Sequence, residues 1–231
     1  MSSTIRRPSP PSRSVPPVSR KGEPPRPPQR TRWGAVLVML LGVGGFLLIL
    51  AVRRGGDAIG WNKWLVAEIA RQVALTPDWA PDALRDIAAL GSPTVLAVLA
   101  LLLFLGATAR EGLGAGIGVL LTLGLAAAVT ALLKIPFILP GPAAPDLTAQ
   151  LLETGFPSAN ALFAGLLWAR LLALPRGGAF MPFLGWLLGG LACLARISLG
   201  QHVPDEVVAG LCAALAFLGA TAWVVPGDRL R

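Results

Sequence analysis

Charged residues are scarce in this chain of 231 residues, where they make up 14% of the total. An ordinary soluble domain has roughly 25% charged residues. Apolar residues account for 54%, and the mean hydropathy is +0.67. This composition argues against a soluble globular domain and indicates a polytopic membrane protein.

Cysteine and histidine are also rare, with two cysteines and one histidine in the chain. Cys193 and Cys212 both fall within predicted membrane spans, where they act most simply as small packing residues. The sequence shows neither a disulfide framework nor the spacing of zinc ligands. We therefore predict no metal and no other cofactor.

Six apolar runs are each close to the ~20 residues that a helix needs to cross the hydrocarbon core. They cover residues 34–52, 93–109, 113–133, 159–175, 179–195 and 207–225. The sequence thus predicts an all-α fold, a packed bundle of six transmembrane helices with both termini on the same side. Membrane lipids are the expected surroundings.

The net charge of +8 is concentrated at the N-terminus, since eight of the Lys and Arg residues precede Trp33. Residues 1–32 are rich in Pro and Ser and are interpreted as a disordered, basic cytoplasmic tail. With the tail inside, thirteen Lys and Arg residues are cytoplasmic and seven lie on the other side. This asymmetry predicts cytoplasmic termini, although Arg53 and Arg54 oppose the rule. A topology signal explains the charge better than a nucleic-acid partner.

The chain divides into four segments along its length. After the tail, residues 33–58 hold the first transmembrane helix, and residues 59–90 are predicted to form an amphipathic region at the membrane interface. The apolar side of that region follows helical spacing through Trp61, Trp64, Leu65, Ile69 and Val73. Residues 91–225 form the remaining core.

Polar residues gather at one membrane face of the predicted bundle, at the ends of different helices. They are Lys134, Ser158, Asn160, Arg196, His202, Asp205 and Glu206. Polar groups at membrane depth are costly and are therefore functional candidates. Two cations, a hydroxyl, an imidazole and carboxylates suit cleavage of a phosphate ester. Each residue alone also has a structural explanation, such as helix capping by Ser158 or snorkelling by Lys134.

Three ordered motifs give the chain a resemblance to the type 2 phosphatidic acid phosphatase superfamily, whose signature reads KxxxxxxRP, PSGH and SRxxxxxHxxxD. The corresponding stretches here are KIPFILPGP at 134–142, PSAN at 157–160 and ARISLGQHVPDE at 195–206. The resemblance covers about residues 90–225. It implies an integral-membrane hydrolase of lipid phosphates or isoprenyl diphosphates. Because the termini are predicted to be cytoplasmic, the site is expected to face the periplasm of a bacterial inner membrane.

The resemblance assigns roles to particular residues. It implies that His202 is the nucleophile and that Glu206 stands where the family has the aspartate that orients it. The positions of Lys134, Ser158 and Arg196 imply phosphate ligands. Ala159 replaces a glycine whose backbone approaches the phosphate.

Two departures from the signature affect the expected chemistry. Asn160 replaces the histidine that protonates the leaving group, and Gly141 replaces an arginine of the first motif. An amide cannot release a proton near neutral pH, so the site is expected to be impaired. The sequence therefore leaves open an enzyme of altered activity and a silent relative that binds lipid phosphate or a protein partner. An unrelated polytopic protein, such as a transporter, fits the three motifs poorly.

Overall fold

The computed structural model describes residues 29–137, 155–174 and 180–224, and every regular element within these ranges is helical. The elements are α1 (Gln29–Arg54), α2 (Asp57–Ala74), α3 (Ala80–Ala89), α4 (Pro93–Glu111), α5 (Leu113–Lys134) with a short 3-10 turn (Ile135–Phe137), α6 (Ala159–Ala173), α7 (Phe180–Ser198) and α8 (Pro204–Val224). The predicted all-α fold is confirmed for these residues. Helix α1 begins at Gln29, so the last four residues of the expected tail are helical.

Five of these helices are long and apolar enough to cross a membrane. Their spans are Trp33–Arg54, Pro93–Glu111, Leu113–Phe137, Phe180–Ser198 and Pro204–Ala222. Helix α6, which the sequence assigns to the fourth span, is apolar but has only 15 residues. The membrane character of the chain is therefore supported, whereas the number of six spans stays a prediction.

Helix α6 packs most extensively against α7 and α8, and it also packs against α4. Its side chains are buried along most of its length, and Ala164, Leu166 and Ala169 have no exposed surface. By contrast, the outer helices carry large exposed apolar side chains, such as Leu41 of α1 and Leu121 of α5. An apolar outer surface is expected where lipid tails surround a helical bundle.

Helix α7 approaches α6 closely because glycines lie at the contact. A Cβ atom at Gly189 would lie 2.7 Å from the carbonyl carbon of Ala164, and one at Gly185 would lie 2.2 Å from the carbonyl oxygen of Trp168. Glycines spaced four residues apart allow helix backbones to approach in this way. The contact fixes the position of α7, which carries Arg196 near its end.

Helices α2 and α3 connect the first span to α4 and contact the end of the bundle. Helix α2 contacts α7 and α8, and its residues Val66 and Ile69 pack against the core. The side chain of Trp64 is 64% exposed. Helical structure is thus present within residues 59–90, while its location at the membrane interface stays a prediction.

Candidate functional site

Four helix ends bring the predicted polar residues to the same end of the bundle. Lys134 is the last residue of α5, and Ser158 immediately precedes α6. Arg196 lies in the last turn of α7, and His202 lies two residues before α8. Since α5 and α7 end where α6 and α8 begin, side chains from all four helices can converge there.

Ser158 is the N-cap of α6 and is buried, with 1% of its surface exposed. Its hydroxyl accepts a hydrogen bond of 3.2 Å from the backbone N–H of Ala161, and its carbonyl accepts one of 3.1 Å from Leu162. A serine at this position satisfies one of the N–H groups that a helix start leaves open. The cap therefore fixes the loop that carries Ser158, next to the positive end of the helix dipole.

The same loop is attached to the start of α8. The backbone N–H of Ser158 donates a hydrogen bond of 3.0 Å to the carbonyl oxygen of Glu206. One turn further along α8, a Cβ atom at Gly210 would lie only 2.4 Å from the carbonyl oxygen of Ser158. No larger residue than glycine fits there without movement, so Gly210 sets the distance between the two motifs. Gly210 was not predicted from the sequence.

The chain turns sharply between Arg196 and His202. Gly200 has a φ of 71°, in the left-handed region that favours glycine. The N–H of Gln201 donates to the carbonyl of Arg196 at 2.9 Å, and the N–H of Gly200 donates to that of Ile197 at 2.9 Å. These two bonds form a Schellman motif that ends α7. The turn reverses the chain and brings His202 back toward Arg196.

His202 is buried, with 8% of its surface exposed, and its Nε2 atom has no hydrogen-bond partner in the part of the chain that the structure describes. Burial, together with the smaller effect of the nearby charges of Arg196 and Lys134, lowers the pKa of His202 to about 4. The imidazole is therefore neutral at physiological pH. A neutral imidazole that lies near two cations, and whose Nε2 atom is not engaged in a hydrogen bond to the described residues, can act as a nucleophile toward an anionic phosphorus centre.

The two cations of the site differ in their surroundings. The side chain of Lys134 is almost fully buried, with 2% of the residue exposed. Arg196 is half-buried, and its Nη1 atom donates a hydrogen bond of 3.4 Å to the carbonyl of Gly91, which lies just before α4. This contact directs the guanidinium along the end of the bundle, on the side where α3 leads into α4.

Asp205 is committed to a structural network at the start of α8. Its carboxylate accepts a hydrogen bond of 2.8 Å from the amide of Asn62 on α2, and its backbone N–H donates one of 3.1 Å to the same side chain. The carboxylate also accepts a hydrogen bond of 2.9 Å from the N–H of Glu206. Asp205 is 1% exposed, so these partners satisfy a buried charge.

Arg53, from the end of α1, is the third partner of Asp205 and forms an ion pair with it. Its guanidinium also lies 3.9 Å from the Glu206 carboxylate, 4.8 Å from the ring centre of Phe156 and 5.5 Å from that of Phe137. From the sequence, Arg53 is only an exception to the charge rule. That exception was the available signal, because it marks a cation that the predicted topology does not explain.

The side chain of Glu206 lies 3.9 Å from the guanidinium of Arg53. Within the described residues no hydrogen bond joins the side chains of Glu206 and His202, and the carboxylate of Glu206 instead faces Arg53. Side chains four residues apart meet when both lie on one helix. Because α8 begins at Pro204, His202 lies outside this helix and the rule does not apply to the pair. An orienting role for Glu206 therefore stays a prediction.

The remaining predicted positions are placed as follows. Ala159 and Asn160 form the first turn of α6, and each has 7% of its surface exposed. Asn160 is thus buried next to Ser158, where the signature has a proton donor. Gly141 lies outside the described residues. Among the residues described, no group of three or more His, Cys, Asp and Glu could hold a metal ion.

Comparisons with known proteins give one family match and one similar fold. The family model of the PAP2 superfamily matches residues 115–229. The fold is similar to the crystal structure of a transmembrane PAP2-type phosphatidylglycerolphosphate phosphatase from Bacillus subtilis. The two chains share 19% identity with a TM-score of 0.57, over 77% of this chain and 92% of the other. A comparison with curated protein sequences gives no match.

Proposed function

The chain is a membrane member of the PAP2 superfamily through residues 115–229, and on that basis we propose that it is an integral-membrane phosphatase of lipid phosphates or diphosphates with His202 as its nucleophile. The observation that carries the proposal is the buried Nε2 atom of His202, which has no partner among the described residues. The neutral state of this imidazole and the two neighbouring cations add to it.

In the proposed reaction, Nε2 of His202 attacks phosphorus while the bond from phosphorus to the leaving oxygen breaks. The leaving group takes the bonding electron pair, and the phosphoryl group stays on His202. Water then cleaves the phosphohistidine and releases inorganic phosphate. Lys134 and Arg196 stabilise the charge on the phosphoryl oxygens, and the N–H groups at the start of α6 favour the same anion.

The buried amide of Asn160 limits which leaving groups depart readily. An alkoxide needs a proton as it leaves, and a general acid typically contributes about 10²–10⁴-fold to such a step. Asn160 supplies no proton near neutral pH. A diphosphate expels a phosphate monoester, which is much less basic than an alkoxide. We therefore expect greater activity on lipid diphosphates, such as isoprenyl diphosphates, than on lipid monophosphates.

Six membrane spans, cytoplasmic termini and a site that faces the periplasm of a bacterial inner membrane complete the proposal. The short α6 would be the fourth span, shielded from lipid by its neighbours. In this arrangement the nucleophile, Lys134 and Arg196 lie on the periplasmic side. Cysteine labelling with a membrane-impermeant reagent at an engineered Gln201→Cys tests this orientation.

Trapping the phosphoenzyme tests the nucleophile directly. Brief incubation with a radiolabelled lipid diphosphate should label the chain with acid-labile, base-stable phosphate at its single histidine. His202→Ala should remove the label.

Buried Asn160 in place of an acid also favours the second candidate, a silent relative that binds lipid phosphate. Saturable binding of lipid phosphate, lost in Arg196→Ala, without any trapped phosphate would establish that alternative.

A further inference from the structure

Arg53 reaches the site from a part of the chain that the family match does not include. The match begins at residue 115, whereas Arg53 lies at the end of α1. Helix α1 forms its most extensive contact with α8, along most of its length. This packing brings the C-terminal end of α1 beside the N-terminal end of α8. Two distant parts of the sequence thereby share one cluster.

The start of α8 holds two adjacent carboxylates in a buried environment. The side chain of Asp205 is 1% exposed and that of Glu206 is 10% exposed. Buried like charges oppose each other's ionisation, and a buried charge without a partner is strongly destabilising. The guanidinium of Arg53 pairs with the first carboxylate and lies 3.9 Å from the second. Its positive charge therefore acts on both carboxylates, and Lys134 is a second cation close to Glu206.

The guanidinium is held in place from two further directions. The rings of Phe156 and Phe137 lie within 4.8 and 5.5 Å of its carbon, at distances typical of cation–π contacts. Phe156 belongs to the loop that carries Ser158, and Phe137 follows Lys134 by three residues. Arg53 therefore contacts residues within or directly beside all three motif stretches, 134–142, 157–160 and 195–206.

We propose that Arg53 is a positioning residue of the catalytic site, which fixes the carboxylates at the start of α8 and, through them, the His202 that precedes this helix. Asn62 of α2 completes the arrangement through its paired hydrogen bonds to Asp205. The first two helices thus form part of the active centre. The effect of Arg53 on turnover rests on the proposed function, whereas its effect on the position of His202 does not.

A nuclear magnetic resonance titration of the only histidine tests the positioning role without any need for turnover. The charged groups near His202 are Lys134 of α5 and Arg196 of α7, and the carboxylates of Asp205 and Glu206 belong to the first turn of α8. In Arg53→Gln these carboxylates lose their fixed cation. We expect the His202 midpoint to rise by about half a pH unit or more. A midpoint unchanged from wild type would overturn the proposal.

Arg54 provides the matched control, because it is the neighbouring arginine and its side chain is exposed. Arg54→Gln removes the same charge from the same end of α1. We expect its His202 titration to overlay that of the wild type. An equal rise in both variants would reveal a general charge effect of the helix end and would overturn a specific role for Arg53. Arg53→Lys keeps the charge without the planar fork, so an intermediate midpoint is expected.

Kinetics separate positioning from direct substrate binding. If Arg53 acts through α8, Arg53→Gln should lower kcat about 10- to 100-fold while KM changes less than about threefold, because only catalytic geometry is affected. A rise in KM with unchanged kcat would identify Arg53 as a phosphate ligand and overturn the positioning role. If the wild type itself shows no turnover, the proposed function fails, whereas the titration still decides the role of Arg53. Arg53→Lys serves both assays if Arg53→Gln does not fold.

Discussion

The protonation state of His202 provides the most quantitative prediction. Its pKa falls from 6.5 to about 4, because of burial first and then of the charges of Arg196 and Lys134. This difference corresponds to about 3 kcal/mol in favour of the neutral imidazole. At pH 5.5 about 97% of His202 should be neutral, compared with about 9% of a histidine with the ordinary pKa. The acid limb of kcat/KM should therefore lie near pH 4.

The direct assay uses protein labelled with ¹⁵N-histidine and purified in detergent with a tag that contains no histidine. The chain has one histidine, so a single imidazole is observed. Titration from pH 7.5 to 3.5 should give a midpoint near 4. In Arg196→Gln the midpoint should rise but stay below 6.5, since burial is the larger cause. A wild-type midpoint at 6 or above would refute the reasoning.

The same shift predicts how stability depends on pH. The unfolded chain takes up a proton at His202 near pH 6.5, and the folded chain does so only near pH 4. The contribution of His202 is therefore fully present above about pH 6.5 and decreases as the pH falls toward 4. Thermal denaturation in detergent should show this decrease. In His202→Asn, which has no titrating group at this position, the decrease between these pH values should be smaller.

Three substitutions, two of them with matched control variants, test the rest of the site. Ser158→Ala and Ser92→Ala each remove a helix cap at a cost of about 1 kcal/mol in stability. Only Ser158→Ala should also lower kcat/KM. Equal effects of the two variants in a phosphate-release assay would contradict a role for Ser158 at the site. Gly210→Ala should displace the Ser158 loop and lower activity, whereas Gly190→Ala, which meets open space, should not. Asn160→His restores a proton donor and should raise turnover of lipid monophosphates up to about 10²-fold, with a smaller gain on diphosphates. Equal gains on both substrates would show that protonation of the leaving group is not the limiting deficit.

The sequence predicts the helical architecture well because its signals are local. Apolar runs mark the spans, and the observed bounds of α4 and α5 lie within a few residues of the expected ones. Helix α6 shows the limit of this approach. Its composition indicates a span, yet its 15 residues and its burial depend on neighbours that the local pattern does not reveal.

The site is predictable where one short motif carries it and unpredictable where distant residues meet. The motif stretches place His202, Arg196 and Ser158 at one end of the bundle from sequence order alone. The pairing of Arg53 with Asp205 joins residues 152 positions apart and depends on the packing of α1 against α8. Asn62 gave no signal at all, because a single polar residue on an amphipathic helix is ordinary.

Within the described residues no hydrogen bond joins the side chains of His202 and Glu206, for a reason that is visible in the backbone. The spacing of His202 and Glu206 suggests adjacent positions on a helix, where side chains four residues apart meet. Pro204 is the first residue of α8, so His202 lies in the preceding turn and the rule does not hold. The side chain of Glu206 is then available to Arg53.

Phosphate release from an isoprenyl diphosphate and from phosphatidic acid, measured with detergent-purified wild type and His202→Ala, tests the central claim most directly. We expect the wild type to release phosphate, faster from the diphosphate than from phosphatidic acid, and we expect His202→Ala to release none. Equal release by both proteins, or no release above the variant from either substrate, would contradict a phosphatase that uses His202 as its nucleophile.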